Sequence, residues 1–249
     1  MSTVKTAIGT FVWHDHRSAD PETARSFYSK LLDWETEIFE AGEIVYPMIK
    51  VNGTTHGGFG PSQDGGPSSW LGHIGVEDVD EAVQRAESAG GSILGEPMDI
   101  PEVGRMAVIR DPQGAVLSVY ASASEDWTPS EGVFVWDELH TTDVEGGKQF
   151  YAELIGWTAR DREMSEELTY TIFESDGVQR AGGVKLMRGD VPNWMPYVYA
   201  DDVDATCAKA EELGAQKLMG PDDVQDIGRI AVLIDPTGAA FGLFKPSQS

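Results

Sequence analysis

Near the start of the chain, the spacing of apolar residues indicates a strand, then a helix, then two further strands. The alternation over residues 8–14 predicts a strand. Asp20-Pro21 predicts the start of a helix, because aspartate caps exposed N–H groups and proline fits the first turn. Two further strands, 44–51 and 54–59, flank an Asn52-Gly53 turn of the hairpin type. The apolar face of the helix comprises Ala24, Phe27, Tyr28 and Leu31.

A similar order follows from residue 70. A strand over residues 70–76 precedes Asp78, which is placed to cap a second helix that ends at Gly90. The buried face of this helix is predicted to comprise Val79, Ala82, Val83 and Ala86. A hairpin of strands 105–110 and 115–120 follows, joined by Asp-Pro-Gln-Gly, which suits a type I turn. Each half of this region is therefore predicted to be a βαβββ module.

The whole pattern is repeated along the chain. Phe27-Tyr28 recurs as Phe150-Tyr151 at an offset of 123, and Asp78-Val79-Asp80 recurs as Asp202-Val203-Asp204 at an offset of 124. Self-similarity at a fixed offset indicates duplicated structural units. We therefore predict a first domain over residues 1–123, a linker over 124–131 that is rich in polar residues, and a second domain over 132–249.

Composition excludes several classes of partner. The chain has 42 acidic and 18 basic residues and a net charge of −24, which argues against binding to nucleic acid or to anionic membranes. Its single cysteine, Cys207, allows no intramolecular disulfide, and as a small residue on a helix face it is expected in the core. No secretory signal or membrane-spanning run is evident, so a cytoplasmic location is expected.

The helix motif Ala24-Arg25-Ser26-Phe27-Tyr28-Ser29-Lys30-Leu31-Leu32-Asp33-Trp34, the strand Gly72-His73-Ile74-Gly75-Val76 and the Asp-Pro-x-Gly hairpins resemble the vicinal oxygen chelate family of glyoxalases, bleomycin-resistance proteins and extradiol dioxygenases. This resemblance implies an α+β fold of two tandem glyoxalase-like domains. Each domain would consist of two βαβββ modules that form a curved, cup-like mixed sheet around one ligand. In the family, the first and last strands of each module supply ligands to a divalent metal ion.

The resemblance also implies where those ligands should lie. The first-strand positions are Trp13, His73, Trp136 and Tyr197, and the last-strand positions lie near Gly58, at Ser118, near Gly183 and at Gly242. His73 alone among them is a metal-binding residue type, and one imidazole does not make a site. We therefore predict no metal and no other cofactor. His73 is also a candidate acid, base or hydrogen-bond donor.

An alternative is a metal-dependent lyase or dioxygenase-like enzyme with a rearranged site around His14, His16, His56 and His73. A divalent metal ion would then be the cofactor. His14 and His16 share one side of a continuing strand, and Asp15 lies on the other. The competing interpretation places His16 beyond the strand end, in a solvated loop.

Flat aromatic residues at Trp13 and Trp136 favour a pocket for a planar, apolar or cationic small organic molecule. Further candidates for its walls lie on the predicted strands: Tyr46, Met48, His56, Met106, Ser118, Tyr120, Tyr170 and Tyr197. Arg105 and Arg229 are expected to form salt bridges. The leading hypothesis is a metal-free binding protein, monomeric or homodimeric, and a purely structural or partner-binding role is a third possibility.

Overall fold

The computed structural model describes residues 8–41, 44–62, 65–124, 127–165, 168–186 and 191–247. The first repeat contains two modules. The elements of the first module are β1 (Phe11–Ser18), α1 (Pro21–Leu32), β2 (Glu35–Ala41), β3 (Ile44–Val51) and β4 (Thr54–Pro61). Those of the second are β5 (Ser69–Gly75), α2 (Val79–Ser88), β6 (Ser92–Ile93), β7 (Met98–Ile100), β8 (Gly104–Arg110) and β9 (Val116–Ser122).

The second repeat has the same order. The elements of the third module are β10 (Phe134–Thr141), α3 (Val144–Ile155), β11 (Thr158–Glu163), β12 (Thr169–Ser175) and β13 (Val178–Lys185). Those of the fourth are β14 (Asn193–Tyr199), α4 (Val203–Glu212), β15 (Gln216–Val224), β16 (Gly228–Ile234) and β17 (Ala240–Pro246). The α+β class and the repeated strand–helix–strands module are thereby confirmed.

In the part of the chain that the structure describes, each of the four helices begins next to an aspartate that caps it. The carboxylates of Asp20, Asp78, Asp143 and Asp202 each accept a hydrogen bond from the backbone N–H three residues later. This bond satisfies one of the N–H groups that a helix leaves unpaired at its start. Gly90 follows α2 with φ +87°, a backbone conformation that favours glycine.

The first strand is longer than the sequence predicted. The expectation that it ends at His14 and leaves His16 in a solvated loop was wrong, since β1 runs through Ser18 and His16 is fully buried. Parallel pairing with β4 continues from His14 to Ser18 and carries His16 into the core.

Contacts divide the chain into two compact units, and each unit takes one module from each repeat. Unit 1 comprises Met1–Trp13, Gly72–Pro129 and Trp136–Trp194, and unit 2 comprises His14–Leu71, Ser130–Val135 and Met195–Ser249. The predicted domains, 1–123 and 132–249, follow the repeat in the sequence. The hydrophobic cores instead combine the second module with the third, and the first with the fourth.

Unit 1 contains the strand orders β5-β9-β8-β6, with β7 also on β8, and β11-β12-β13-β10. Helices α2 and α3 pack against each other, and Arg85 Nε donates to the Leu154 carbonyl at 2.9 Å. The core includes Ile74, Leu117, Leu139, Phe150, Tyr151, Trp157 and Trp194. Asp111 is buried beside it and accepts a hydrogen bond from the Tyr151 hydroxyl at 3.0 Å.

Unit 2 repeats this plan with the strand orders β2-β3-β4-β1 and β14-β17-β16-β15. Helices α1 and α4 pack against each other, and Lys209 Nζ donates to the Leu31 carbonyl at 3.2 Å. The core includes Phe27, Tyr28, Trp34, Trp70, Cys207, Phe241 and Leu243. Asp235 accepts from Tyr28 at 3.0 Å and lies 2.7 Å from His16 Nε2.

Among the residues that the structure describes, no helix is both long and apolar enough to cross a membrane.

Candidate functional site

The strand registers identify which residues occupy the first-strand and last-strand positions of each module. In β5 and β9, His73 lies opposite Ser118, and in β14 and β17, Tyr197 lies opposite Gly242, as the sequence predicted. In the other two modules the prediction was wrong by two residues. Asp15, not Trp13, lies opposite Gly58, and Glu138, not Trp136, lies opposite Gly182.

In unit 2, Asp15 is the centre of a buried polar cluster. Its side chain is 5% exposed. The Arg17 guanidinium donates to Oδ2 at 2.7 Å, and the Tyr46 hydroxyl donates to Oδ1. Because side chains alternate along a strand, Asp15 and Arg17 lie on the face opposite to His14 and His16. We call Asp15, Arg17, Tyr46 and Gly58 the Asp15 cluster.

In unit 1, Glu138 is surrounded in the same manner. The Glu138 side chain is 10% exposed, and His140 Nε2 lies 2.8 Å from Oε1. Tyr170 is hydrogen-bonded to Glu138, and burial together with that negative charge raises the pKa of Tyr170. The half-buried Trp136 donates from Nε1 to the Tyr170 hydroxyl at 2.8 Å. We call Trp136, Glu138, His140, Tyr170 and Gly182 the Glu138 cluster.

Glycine is required opposite both carboxylates. A Cβ atom on Gly58 would overlap the Tyr46 ring, and one on Gly182 would overlap Tyr170 and crowd Trp136. In the fourth module, a Cβ on Gly242 would overlap the Tyr197 ring. At these three positions an aromatic ring therefore fills the space that a last-strand glutamate ligand would need.

The other predicted site residues are divided between the two units. In unit 2, Met48 is half-buried opposite Gly58, and His56 is buried, which lowers its pKa. In unit 1, Met106 is buried opposite Tyr120, whose hydroxyl donates to the Val103 carbonyl at 2.8 Å.

His73 is 4% exposed and its strand neighbour Ser118 is fully buried. The Ser118 hydroxyl donates to the Val119 carbonyl at 3.3 Å. Trp13 is half-buried on β1, and Tyr197 is 6% exposed. These positions are consistent with pocket walls or with packing, and the assignment of His73 as a catalytic residue stays a prediction.

Two histidines of the alternative metal site, His14 and His16, face the core. His14 stacks on Phe134 with ring centroids 4.0 Å apart, and His16 pairs with Asp235. Within the described residues, no group of three or more His, Cys, Asp or Glu side chains is arranged to hold a metal ion. Together with the aromatic rings over the last-strand glycines, this donor set does not fit the metal that the fold family implies.

Sequence reasoning missed the two carboxylates, although a signal for them was present. An offset of 123 carries Asp15 onto Glu138, and an offset of 124 carries Tyr46 onto Tyr170 and Gly58 onto Gly182. The same acid, tyrosine and glycine positions therefore recur in both repeats. Arg105 and Arg229 bind Asp80 and Asp204 through two hydrogen bonds each, as structural salt bridges.

The fold and these positions agree with comparisons to known families. A model of the glyoxalase/bleomycin resistance protein/dioxygenase superfamily matches residues 15–119, and a model of a glyoxalase-like domain matches residues 134–244. The chain belongs to this superfamily, as the sequence motifs predicted, and carries its domain in tandem.

Two relatives show the membership over nearly the whole chain. CFP32 of Mycobacterium tuberculosis, whose name assigns it to the glyoxylases, is 32% identical over 96% of this chain and 95% of its own. The anthracycline biosynthesis protein DnrV of Streptomyces peucetius is 30% identical over 95% of this chain and 93% of its own.

Solved structures share the fold at low sequence identity. The 2,2',3-trihydroxybiphenyl 1,2-dioxygenase of Sphingomonas wittichii has a TM-score of 0.66 and 16% identity, covering 96% of this chain and 90% of that one. The Mn(II)-bound glyoxalase of Novosphingobium aromaticivorans has a TM-score of 0.61 and 15% identity, covering 96% and 82%. At this identity the likeness shows the fold alone.

Proposed function

We propose that this protein binds a planar aromatic small molecule, by means of its carboxylate–tyrosine clusters and without the divalent metal of its family. The observation that carries the proposal is the recurrence of one arrangement at the first-strand positions of both repeats. In each case a buried carboxylate is held by a tyrosine hydroxyl over a strand glycine.

The chemistry of the clusters supports this type of ligand. A carboxylate in a protected environment accepts strong hydrogen bonds from hydroxyl or amine groups. Tyrosine and tryptophan rings offer flat apolar surface together with a polar end. Trp136 is half-buried and its indole nitrogen is held by Tyr170, so the orientation of the ring is fixed before a ligand arrives.

The relatives support the same ligand class. One of them is named as an anthracycline biosynthesis protein, and anthracyclines are planar hydroxylated aromatic compounds. We propose that the present protein takes a compound of this general kind, as a carrier, a sequestering protein or an enzyme acting on the bound molecule.

A neutral dihydroxyanthraquinone is a suitable probe. We expect it to quench tryptophan fluorescence saturably, with a Kd of about micromolar, and to bind equally well after treatment with EDTA. Trp136→Leu should weaken binding to the Glu138 cluster about tenfold or more, because it removes the aromatic wall of that cluster, and should leave binding to the Asp15 cluster unchanged. Tyr199→Leu, which changes an exposed aromatic residue whose hydroxyl donates to Asp201 outside both clusters, is the control.

Two results would count against the proposal. The first is the absence of saturable binding to the wild-type protein. The second is a requirement for Fe, Mn, Ni, Zn or Co, seen as a near-stoichiometric metal by elemental analysis and loss of binding when that metal is removed.

A further inference from the structure

Two arginines on the strands beside the Glu138 cluster lack the acidic partners that arginines elsewhere in the chain have. Arg105, Arg160 and Arg229 are each paired with a carboxylate. Arg162 and Arg180 are half-buried, yet they form no hydrogen bond or ion pair with any residue that the structure describes. With 42 acidic and 18 basic residues in the chain, a shortage of carboxylates does not explain this.

Arg162 adjoins the cluster at strand β11. In the antiparallel pair of β11 and β12 it lies directly opposite Tyr170, and directly opposite residues project from the same face of a sheet. On that face the Tyr170 hydroxyl meets both Trp136 and Glu138. Arg162 is half-buried, whereas the residues before and after it on β11 are exposed. Its side chain therefore lies against the edge of the cluster.

Arg180 adjoins the cluster at strand β13. It is the extra residue of a β-bulge between β12 and β13, and bulges beside functional sites re-aim side chains. Ala181 faces the core and Gly182 faces Tyr170, so alternation along the strand places Arg180 on the face of the cluster. Its Nε atom is buried without a hydrogen-bond partner among the described residues. Such a group is rare in proteins and points to an acceptor supplied by a ligand.

The charges on this face leave an excess of arginine. Arg160 and Glu174 offset each other in an ion pair. Glu138 can offset only one of the two remaining arginines, and His140 adds to the positive charge whenever it is protonated. The net charge of −24 repels anions at long range, but physiological salt screens that effect beyond about 8 Å. The local excess therefore favours a ligand with an anionic substituent.

The first repeat has other residues at both positions. Phe39 lies opposite Tyr46 in β2 and β3, and an offset of 124 carries His56 onto Arg180. Arg17, the arginine of the Asp15 cluster, is paired with its carboxylate. The excess of arginine thus distinguishes the Glu138 cluster from the Asp15 cluster.

We infer that Arg162 and Arg180 form an anion subsite beside the Glu138 cluster, and that the ligand of this cluster is an aromatic carboxylic acid. Its ring packs on Trp136, and its carboxylate accepts hydrogen bonds from the guanidinium groups, whose planar donors match carboxylate geometry. This inference rests on the proposed binding function and specifies the ligand of one of its two sites.

A dihydroxyanthraquinone carboxylic acid and its methyl ester test the inference, because they share a ring system and differ in charge. Calorimetry at pH 7 and about 0.15 M salt should give one equivalent of the acid per chain that binds about tenfold more tightly than the ester. Arg162→Gln and Arg180→Gln should each weaken that equivalent about tenfold, or 1.4 kcal/mol, and change the affinity for the ester less than about twofold.

Two further variants complete the test. Arg110→Gln removes an exposed arginine at the end of strand β8 in the same unit, and it should change the affinity for neither compound. Arg180→Lys keeps a positive charge and should retain most of the preference for the acid. Retained binding of the ester shows that each variant is folded.

Equal affinities of the acid and the ester for the wild-type protein would overturn the inference while leaving the proposed function intact. Equal losses for the two compounds in both glutamine variants would do the same, because the arginines would then act on the fold rather than on the anion. Failure of both compounds to bind would overturn the inference and the proposed function together.

Discussion

The two cores contain the same buried hydrogen-bond chain, but only one of them adds a histidine. In unit 1, Trp194 donates to the Tyr151 hydroxyl at 2.7 Å, and Tyr151 donates to Asp111. In unit 2, Trp70 donates to the Tyr28 hydroxyl at 3.1 Å, and Tyr28 donates to Asp235. The second oxygen of each aspartate accepts N–H groups of its own hairpin turn.

The difference arises at one position of the repeat. His16 lies 2.7 Å from Asp235, whereas Leu139 stands at the equivalent place in unit 1. Burial raises the pKa of Asp111, against the hydrogen bonds it accepts. Burial acts in the same direction on Asp235, but the hydrogen bond and charge of His16 outweigh it, and the pKa of Asp235 is lowered. One substitution thus reverses the direction in which the pKa of a buried carboxyl group is shifted.

The largest expected effect comes from neutralising each aspartate. Asp235→Asn removes the carboxylate that lies 2.7 Å from buried His16 and should lower the free energy of unfolding by about 3 kcal/mol. Asp111→Asn removes a charge that burial already disfavours and retains an acceptor for the turn, so the loss should be about 1 kcal/mol or less. Urea denaturation at pH 7 measures both, and equal losses would contradict the assigned role of His16.

An intermediate effect is expected in the acid dependence of the same two variants. An aspartate with a lowered folded-state pKa stabilises above its unfolded value, about 3.9, and that stability is lost as the pH falls through the folded value. An aspartate with a raised pKa stabilises below its unfolded value and loses that contribution as the pH rises through the folded value.

From about pH 3 to 5, the stability advantage of the wild type over Asp235→Asn should therefore grow, and its advantage over Asp111→Asn should shrink. Urea midpoints at several pH values measure these slopes. Slopes of the same sign would show that the two carboxyl groups do not differ as described.

The smallest effect is expected at a helix–helix contact that is the same in both units. Arg85 and Lys209 each donate to a carbonyl in the last turn of the neighbouring helix. Replacement of either by methionine keeps the aliphatic stem and should cost about 0.5 kcal/mol, because a cation near a helix C-terminus contributes about this much. Thermal unfolding of the two variants should give equal shifts, and a marked inequality would mean that the helix pairs are not equivalent.

Local signals account for what the sequence predicted correctly. Aspartate before a helix and Asn-Gly between strands act within a few residues, so Asp20, Asp78 and the turn at Asn52 were placed from the chain alone. The fold family followed from the spacing of such signals, found twice.

The failures concern contacts between distant strands. The end of β1 is set by parallel pairing with β4, about forty residues later in the chain, and the sequence around His16 contains no sign of that pairing. The registers of β1 with β4 and of β10 with β13 also place Asp15 and Glu138, rather than the predicted Trp13 and Trp136, at the first-strand positions. Residues two apart lie on the same face of a strand, so the predicted face of each strand was correct. The residue type at the first-strand position was wrong, because an aromatic residue was predicted where the structure has a carboxylate.

Each hydrophobic core joins one module of the first repeat to one of the second, and this has an evolutionary consequence. Neither repeat contains a complete hydrophobic core. A gene that lost one copy would therefore encode a chain with two apolar surfaces that lack their packing partners. Divergence is constrained accordingly: a substitution such as leucine for histidine at a core position must be tolerated by residues that descend from the other copy. The duplication is in this sense irreversible, and the two copies are free to specialise only on the faces that point away from their shared interiors.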